Sequence, residues 1–250
     1  MIKIKTDAEL ELIRVACKIT GDTLKEVEKH IKPGVTTKQL DKIAYDYIIS
    51  LGAKPSFKNL YGYPATICAS VNEEVVHGIP SKHKVLQEGD IISVDVGACY
   101  KGYHGDAART FPVGKIDAKK KRLIKVTEQS FFEGIKNIRN GAYVGDISHQ
   151  IQTYVEKNGY TIVRELTGHG VGSEVHEDPS VPNYGKAGAG AKLVNNMVIA
   201  VEPMVNMGQR YVQFLPDGWT CVTRDGLPAA HYENTILITE NGVEILTLWF

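Results

Sequence analysis

The chain has 250 residues, 43% of them hydrophobic, and its 29 Lys and Arg balance its 29 Asp and Glu. That length fits one large α/β domain with a sizeable core. Zero formal charge argues against a general electrostatic grip on nucleic acid or an anionic membrane.

The first residues, MIKIKTDAELEL, hold no apolar stretch of signal-peptide length. No uncharged apolar run approaches the ~18 residues of a membrane span. The cysteines, at 17, 68, 99 and 221, form neither a CxxC pair nor a disulfide pattern, as expected of a reducing cytosol.

A helix is predicted from Thr6, where T-x-x-E with Glu9 makes a capping box. Its apolar face runs Leu10, Ile13, Cys17, Leu24, Val27 and Ile31, and Pro33-Gly34 stops it. A second box, Thr36 and Gln39, opens a helix with Leu40, Ile43, Ala44, Tyr47 and Ile48 on one face, closed by Gly52. Asp117 opens a third helix, carrying Leu123, Val126, Phe131, Ile135 and Ile138 and stopped by Asn140-Gly141. Lys119 to Arg122 form its wetted face. A fourth carries Ile147, Ile151, Tyr154 and Val155 and closes at Gly159.

The second pair replays the first. Gly34 and Gly141, Leu40 and Ile147, Ile48 and Val155, and Gly52 and Gly159 each stand 107 positions apart. Two strand signals, EGDIISVD and NNMVIAVE, obey the same offset and end in Asp95 and Glu202. We read two similar halves, approximately 6–112 and 117–250, packed about a pseudo-two-fold axis within a single catalytic domain.

A carboxylate ending a buried strand is costly unless paired or bound to a metal. Asp106 follows Asp95 across Gly97, Gly102 and Gly105, a gap that suits a returning hairpin. His169 sits between glycines in LTGHGVG, and Glu233 precedes the strand signal TILIT. Taken singly, each has a plain structural reading, as a hydrogen-bonded loop histidine or a solvent-facing acid. Together, Asp95, Asp106, His169, Glu202 and Glu233 make an oxygen-rich donor set suited to Mn, Fe(II), Co or Zn, with enough negative charge for two ions. His77 in VVHGIP and His176 in EVHEDP are candidates for proton transfer or hydrogen bonding nearby. His104 and His231 lie close in sequence to proposed ligands.

The order Asp, Asp, His, Glu, Glu, with HGIP ahead and GHGVG, HEDP and VEP behind, resembles type I methionine aminopeptidase over nearly the whole chain. The resemblance implies the pita-bread α/β fold (α+β in its segregation): pseudo-symmetric halves share a curved, mainly antiparallel sheet with helices outside. It implies two divalent ions, of Co, Mn, Fe, Zn or Ni. Asp95 would chelate one, His169 and Glu202 would hold the other, and Asp106 and Glu233 would bridge. A bridging water or hydroxide would attack the first peptide bond, with Glu202 as proton shuttle. His176 would bind the scissile amide and oxyanion, and His77 would position the peptide. The methionine pocket maps onto Tyr63, Cys68, His77, Val175 and Trp219, with Phe57 at its mouth.

The implied substrate is the N-terminal peptide of nascent proteins with a small second residue, at or near the ribosome. The implied enzyme is a cytoplasmic monomer without sequence-specific nucleic-acid or membrane binding. Val175 stands where an aromatic is usual, Asn196 where Gly is, and His231 and Asn234 where Gln and His are. The last two flank Glu233, where outer-sphere groups tune metal affinity. Two alternatives remain: an X-Pro aminopeptidase or dipeptidase, which usually carries an extra N-terminal domain, and a non-catalytic pita-bread binding domain, which would lose ligands.

Overall fold

The computed structural model, which describes residues 2–248, forms the four predicted helices, three of them at the predicted caps. Helix α1 (Asp7–Glu28) begins on Thr6, whose hydroxyl accepts the Glu9 N–H while the Glu9 carboxylate accepts the Thr6 N–H. Thr36 and Gln39 do the same for α2 (Thr37–Ser50). Asp117 accepts the Lys120 N–H at 2.8 Å to start α3 (Ala118–Ile135). At α4 (Val144–Lys157) Tyr143 offers no side-chain cap, and the Asp146 carboxylate takes the Tyr143 N–H instead. These bonds satisfy donors that every helix start leaves open.

Two helices are shorter than the sequence pattern predicts. The apolar face of α1 extends to Ile31, yet the helix stops at Glu28. Pro33 disfavours helical geometry at Lys32, and its ring would clash with the Lys29 carbonyl. The chain tightens through His30 N–H to Val27 and Ile31 N–H to Glu28, and Ile31 packs as part of the turn. Likewise α3 stops at Ile135, and Ile138 is buried beyond its end.

The 107-residue offset fixes matching boundaries. The ends of α1 and α3, at Glu28 and Ile135, keep it, as do both ends of α2 and α4. Gly34 and Gly141 adopt φ of 89° and 93° at the matched turns, in the left-handed region where a side chain would be strained. The cores match too. Leu40, Ala44, Ile48, Ile92 and Val94 belong to one apolar cluster, and Ile147, Ile151, Val155, Ile199 and Val201 to its counterpart.

A nine-stranded sheet joins the halves. Its path runs Lys54–Pro55, Ile91–Tyr100, Tyr103–Pro112, Glu233–Ile238, Val198–Val201, Gly168–Gly170 and Glu177–Val181. Ile67–Val71 and Val243–Ile245 pair off that path, and all of these pairings are antiparallel. Asp95 does not end its strand, as the apolar run suggested. The strand continues to Tyr100, because its outer half pairs with the returning strand as far as Tyr103. Among the described residues no helix is long and apolar enough to cross a membrane.

Candidate metal centre and peptide cleft

The strand register assembles the acids. Asp95 stands opposite Ala108, and Ala108 stands opposite Glu233, so the two acids flank one residue across three neighbouring strands. Asp106 lies two residues before Ala108 and therefore on the same face. Glu202 follows the Val198–Val201 strand directly, its carbonyl held by the Asn183 amide at 2.9 Å. The Asp106 backbone is pinned on both sides by the Thr235 hydroxyl, at 3.0 and 2.8 Å. Arg109 donates to the Glu233 carbonyl and, at 2.6 Å, to the Asn234 amide oxygen, fixing the third strand to the second.

His169 reaches the cluster because the glycines beside it have no Cβ. A Cβ on Gly168 would lie 2.3 Å from the Ala200 carbonyl, and one on Gly170 2.2 Å from that of Asp178. The His169 Nδ1–H points at the Gly170 carbonyl, 2.9 Å away. That leaves Nε2 as the acceptor nitrogen, 3.7 Å from both Asp106 Oδ2 and Glu202 Oε1. A backbone acceptor on one ring nitrogen and a free lone pair on the other is the arrangement of a metal-ligating histidine.

All five predicted ligand residues thus line one cleft. One donor atom each of Asp106, His169 and Glu233 lie within 4.8 Å of one another. A second such triad joins Asp95 and Glu233 to His231, a residue outside the five expected ligands.

The electrostatics call for a cation. Burial, followed by the charges of Asp106 and Glu202, drives the Asp95 carboxyl well above the ordinary range. Burial and Asp106 do the same to Glu202, and burial and its acidic neighbours to Glu233. Asp106 is pushed up to about 7, mainly by burial. Asp95 Oδ1 and Asp106 Oδ1 are buried with no hydrogen-bond partner among the described residues. Carboxylates this close cannot all ionise unaided. Divalent ions would satisfy the orphaned oxygens and offset the charge, and a carboxylate-imidazole donor set fits them.

Beside the acids the cleft turns apolar. Phe57, Tyr63, Cys68 and Trp219 line it, with Tyr63 and Trp219 edge to face at 5.1 Å. The Tyr63 hydroxyl donates toward the carbonyls of Ile67 and Gly78, at 3.0 and 3.1 Å. Burial keeps Cys68 a neutral thiol. Val175 belongs to the same buried cluster but is not among the residues lining the cleft.

His77 and His176 both line the cleft. Burial and the nearby His176 lower His77 to about 4, and burial lowers His176, so both rings are neutral near pH 7. His176 lies at the mouth, edge-on to His169 at 4.4 Å and stacked on Tyr61 at 5.9 Å. Sequence reasoning missed Leu60 and Tyr61 in the lining. Tyr61 is 73% exposed and held at φ 50°, a conformation no sequence signal announced.

Comparison with known proteins agrees with this geometry. Residues 11–240 match the profile of Metallopeptidase family M24. The chain is 58% identical to the methionine aminopeptidase of Clostridium acetobutylicum and 53% identical to methionine aminopeptidase 1 of Bacillus subtilis, over 99% of each chain in both cases. The crystal structure of the methionine aminopeptidase of Thermotoga maritima superposes with a TM-score of 0.98 at 50% identity, over the full length of both chains. The prolidase of Pyrococcus furiosus shares the fold at a TM-score of 0.81 and 25% identity, and only 66% of that longer chain is covered. The chain therefore has the pita-bread fold and belongs to metallopeptidase family M24, among the type I methionine aminopeptidases.

Proposed function

We propose that this protein hydrolyses the first peptide bond of polypeptides that begin with methionine, using two divalent cations. Asp95, Asp106, His169, Glu202 and Glu233 would hold the cations. The observation that carries this reading is the convergence of those five side chains at the end of an apolar, aromatic-walled cleft.

Bound divalent cations supply Lewis acidity and bring the pKa of coordinated water toward neutrality. Glu202 lines the cleft beside the other acids and is placed to act as the general base. It takes the proton of the attacking water and returns it to the departing amine. His176 donates a hydrogen bond to the carbonyl oxygen as negative charge develops there. His77, half-buried and neutral, accepts or donates to the amide that leaves.

The methionine side chain enters between Phe57, Tyr63, Cys68 and Trp219. A flexible thioether matches such walls, because sulfur packs favourably on ring edges. With the Tyr63 hydroxyl committed to backbone carbonyls, the pocket offers little to a polar side chain. The acids at its far side would take the free amine near a cation, which restricts cleavage to the chain's first bond. Substrates would be newly made polypeptides with small second residues, met near the ribosome in the cytoplasm by a monomeric enzyme.

The test is hydrolysis by metal-loaded protein of Met-Ala-Ser against dipeptides of the X-Pro type. Release of methionine from the first alone, abolished by chelator, is expected. Preferential X-Pro cleavage would transfer the chain to the prolidase activity. Turnover of neither by folded, metal-loaded protein would leave a binding domain.

A further inference from the structure

We propose that His231 is a further protein ligand of the metal centre, holding through Nε2 the cation on the Asp95 side. This rests on the two-cation reading above. His231 ends the strand Ala229–His231 and is 1% exposed. Its backbone is fixed: its N–H donates to the Thr110 hydroxyl at 2.8 Å, which donates back to its carbonyl at 2.9 Å. The ring is therefore delivered by the sheet and not by a loose loop.

Neither ring nitrogen has a hydrogen-bond partner among the described residues. Leaving a buried polar group unsatisfied costs about 1–3 kcal/mol, so a partner is called for. Two carboxylate oxygens lie close by. Nε2 lies 3.6 Å from Glu202 Oε2 and 3.9 Å from Glu233 Oε2. These gaps are too long for hydrogen bonds. They are close to the separation of neighbouring donors around one ion, roughly 3–3.5 Å for bonds of about 2.0–2.2 Å. One donor atom each of Asp95, His231 and Glu233 already lie within 4.8 Å of one another.

The chemistry has a consequence. The amide of glutamine, expected here from the resemblance, binds divalent transition metals weakly. An imidazole binds Co, Ni, Cu and Zn well. A second histidine should tighten the Asp95-side ion and tilt the pair away from Mn.

The test loads metal-free protein with Co(II) and counts imidazoles by X-ray absorption fine structure. Two imidazoles shared over two bound ions are expected in the wild type, and one in His231→Gln. Titration of that variant should show one of the two equivalents weakened by about 10-fold or more, since even outer groups shift affinity by 10–100-fold. The wild-type count needs no variant, so a His231→Gln protein that fails to fold does not remove the test. Two bound ions with a single imidazole would overturn the role of His231 alone. One bound ion with a single imidazole would overturn the two-cation reading with it.

Discussion

Replacing Lys5 with Met should destabilise the fold and slow the reaction, although Lys5 touches neither acid cluster nor cleft. Lys5 Nζ lies 2.5 Å from Glu177 Oε2, and both side chains are 3% exposed. Burial works to raise the Glu177 carboxyl, but the hydrogen bond and charge of Lys5, together with the Glu174 N–H and Lys3, outweigh it and hold it below the ordinary range. Removing one partner of a buried pair typically costs about 3–5 kcal/mol, because the other charge is stranded. Here Lys3, the Ser173 hydroxyl and the Glu174 N–H remain 3.2, 3.2 and 3.3 Å from Glu177 Oε1. Their help places Lys5→Met near the lower end, about 3 kcal/mol. For a chain of this size that is a fall in Tm of about 6–12 °C.

Adding Glu177→Gln should recover most of the loss, since a neutral amide strands no charge. The depressed Glu177 pKa gives a contribution that is present above the ordinary carboxylate range and lost as pH falls through the folded value. The gap between wild type and Lys5→Met should therefore narrow in acid. Residues 172–177 carry His176, so kcat should fall at temperatures where the variant is still folded. Thermal melts of metal-free protein decide the matter. A Lys5→Met protein that melts with the wild type, or a double variant no better than the single, would refute the reasoning.

His176→Ala should lower kcat by about 10²–10³-fold, the scale of one lost oxyanion donor. Steady-state kinetics on Met-Ala-Ser measure it, and an unchanged kcat would remove His176 from the chemistry. Val175→Phe should add aromatic bulk to the cluster that packs on Phe57, Tyr63 and Cys68 and shift the kcat/KM ratio of methionine over norleucine peptides by about 10-fold, as small pocket changes do. An unaltered ratio would leave Val175 a packing residue only. The raised carboxyls stabilise the metal-free fold fully below the ordinary carboxylate range, and that contribution is lost as pH rises through about 7 for Asp106. Chelated protein should thus lose Tm from about pH 5 to about pH 8, with the largest rescue by divalent metal at the top of that range. A flat metal-free profile would contradict the crowding of acids.

The sequence carried the repeat because equivalent turns need equivalent residues. Gly34 and Gly141 sit at φ values that other residues resist, and the caps at Thr6, Thr36 and Asp117 satisfy donors locally. Helix ends were less legible, since the apolar residues Ile31 and Ile138 stay half-buried and buried, respectively, after the helices stop. Asp95 looked like a strand end because charge interrupts the apolar run, but pairing with the returning strand decides where a strand ends. The four acids and the one imidazole were readable through pattern and resemblance. His231 stood two residues before Glu233, the spacing that puts side chains on one face of an extended chain, and that signal could have found it. The Lys5–Glu177 pair spans 172 residues, and no local pattern foretells it. Likewise Tyr61 enters the cleft mouth through a backbone conformation set by its surroundings.

The most direct test of the metal centre is a titration of chelator-stripped protein with Co(II), by calorimetry and by elemental analysis after dialysis. Wild-type protein should retain two equivalents and release protons on binding, while Asp106→Ala, lacking the carboxylate that faces His169, should retain fewer and bind them far more weakly. Wild-type protein that holds no more metal than Asp106→Ala would contradict the account.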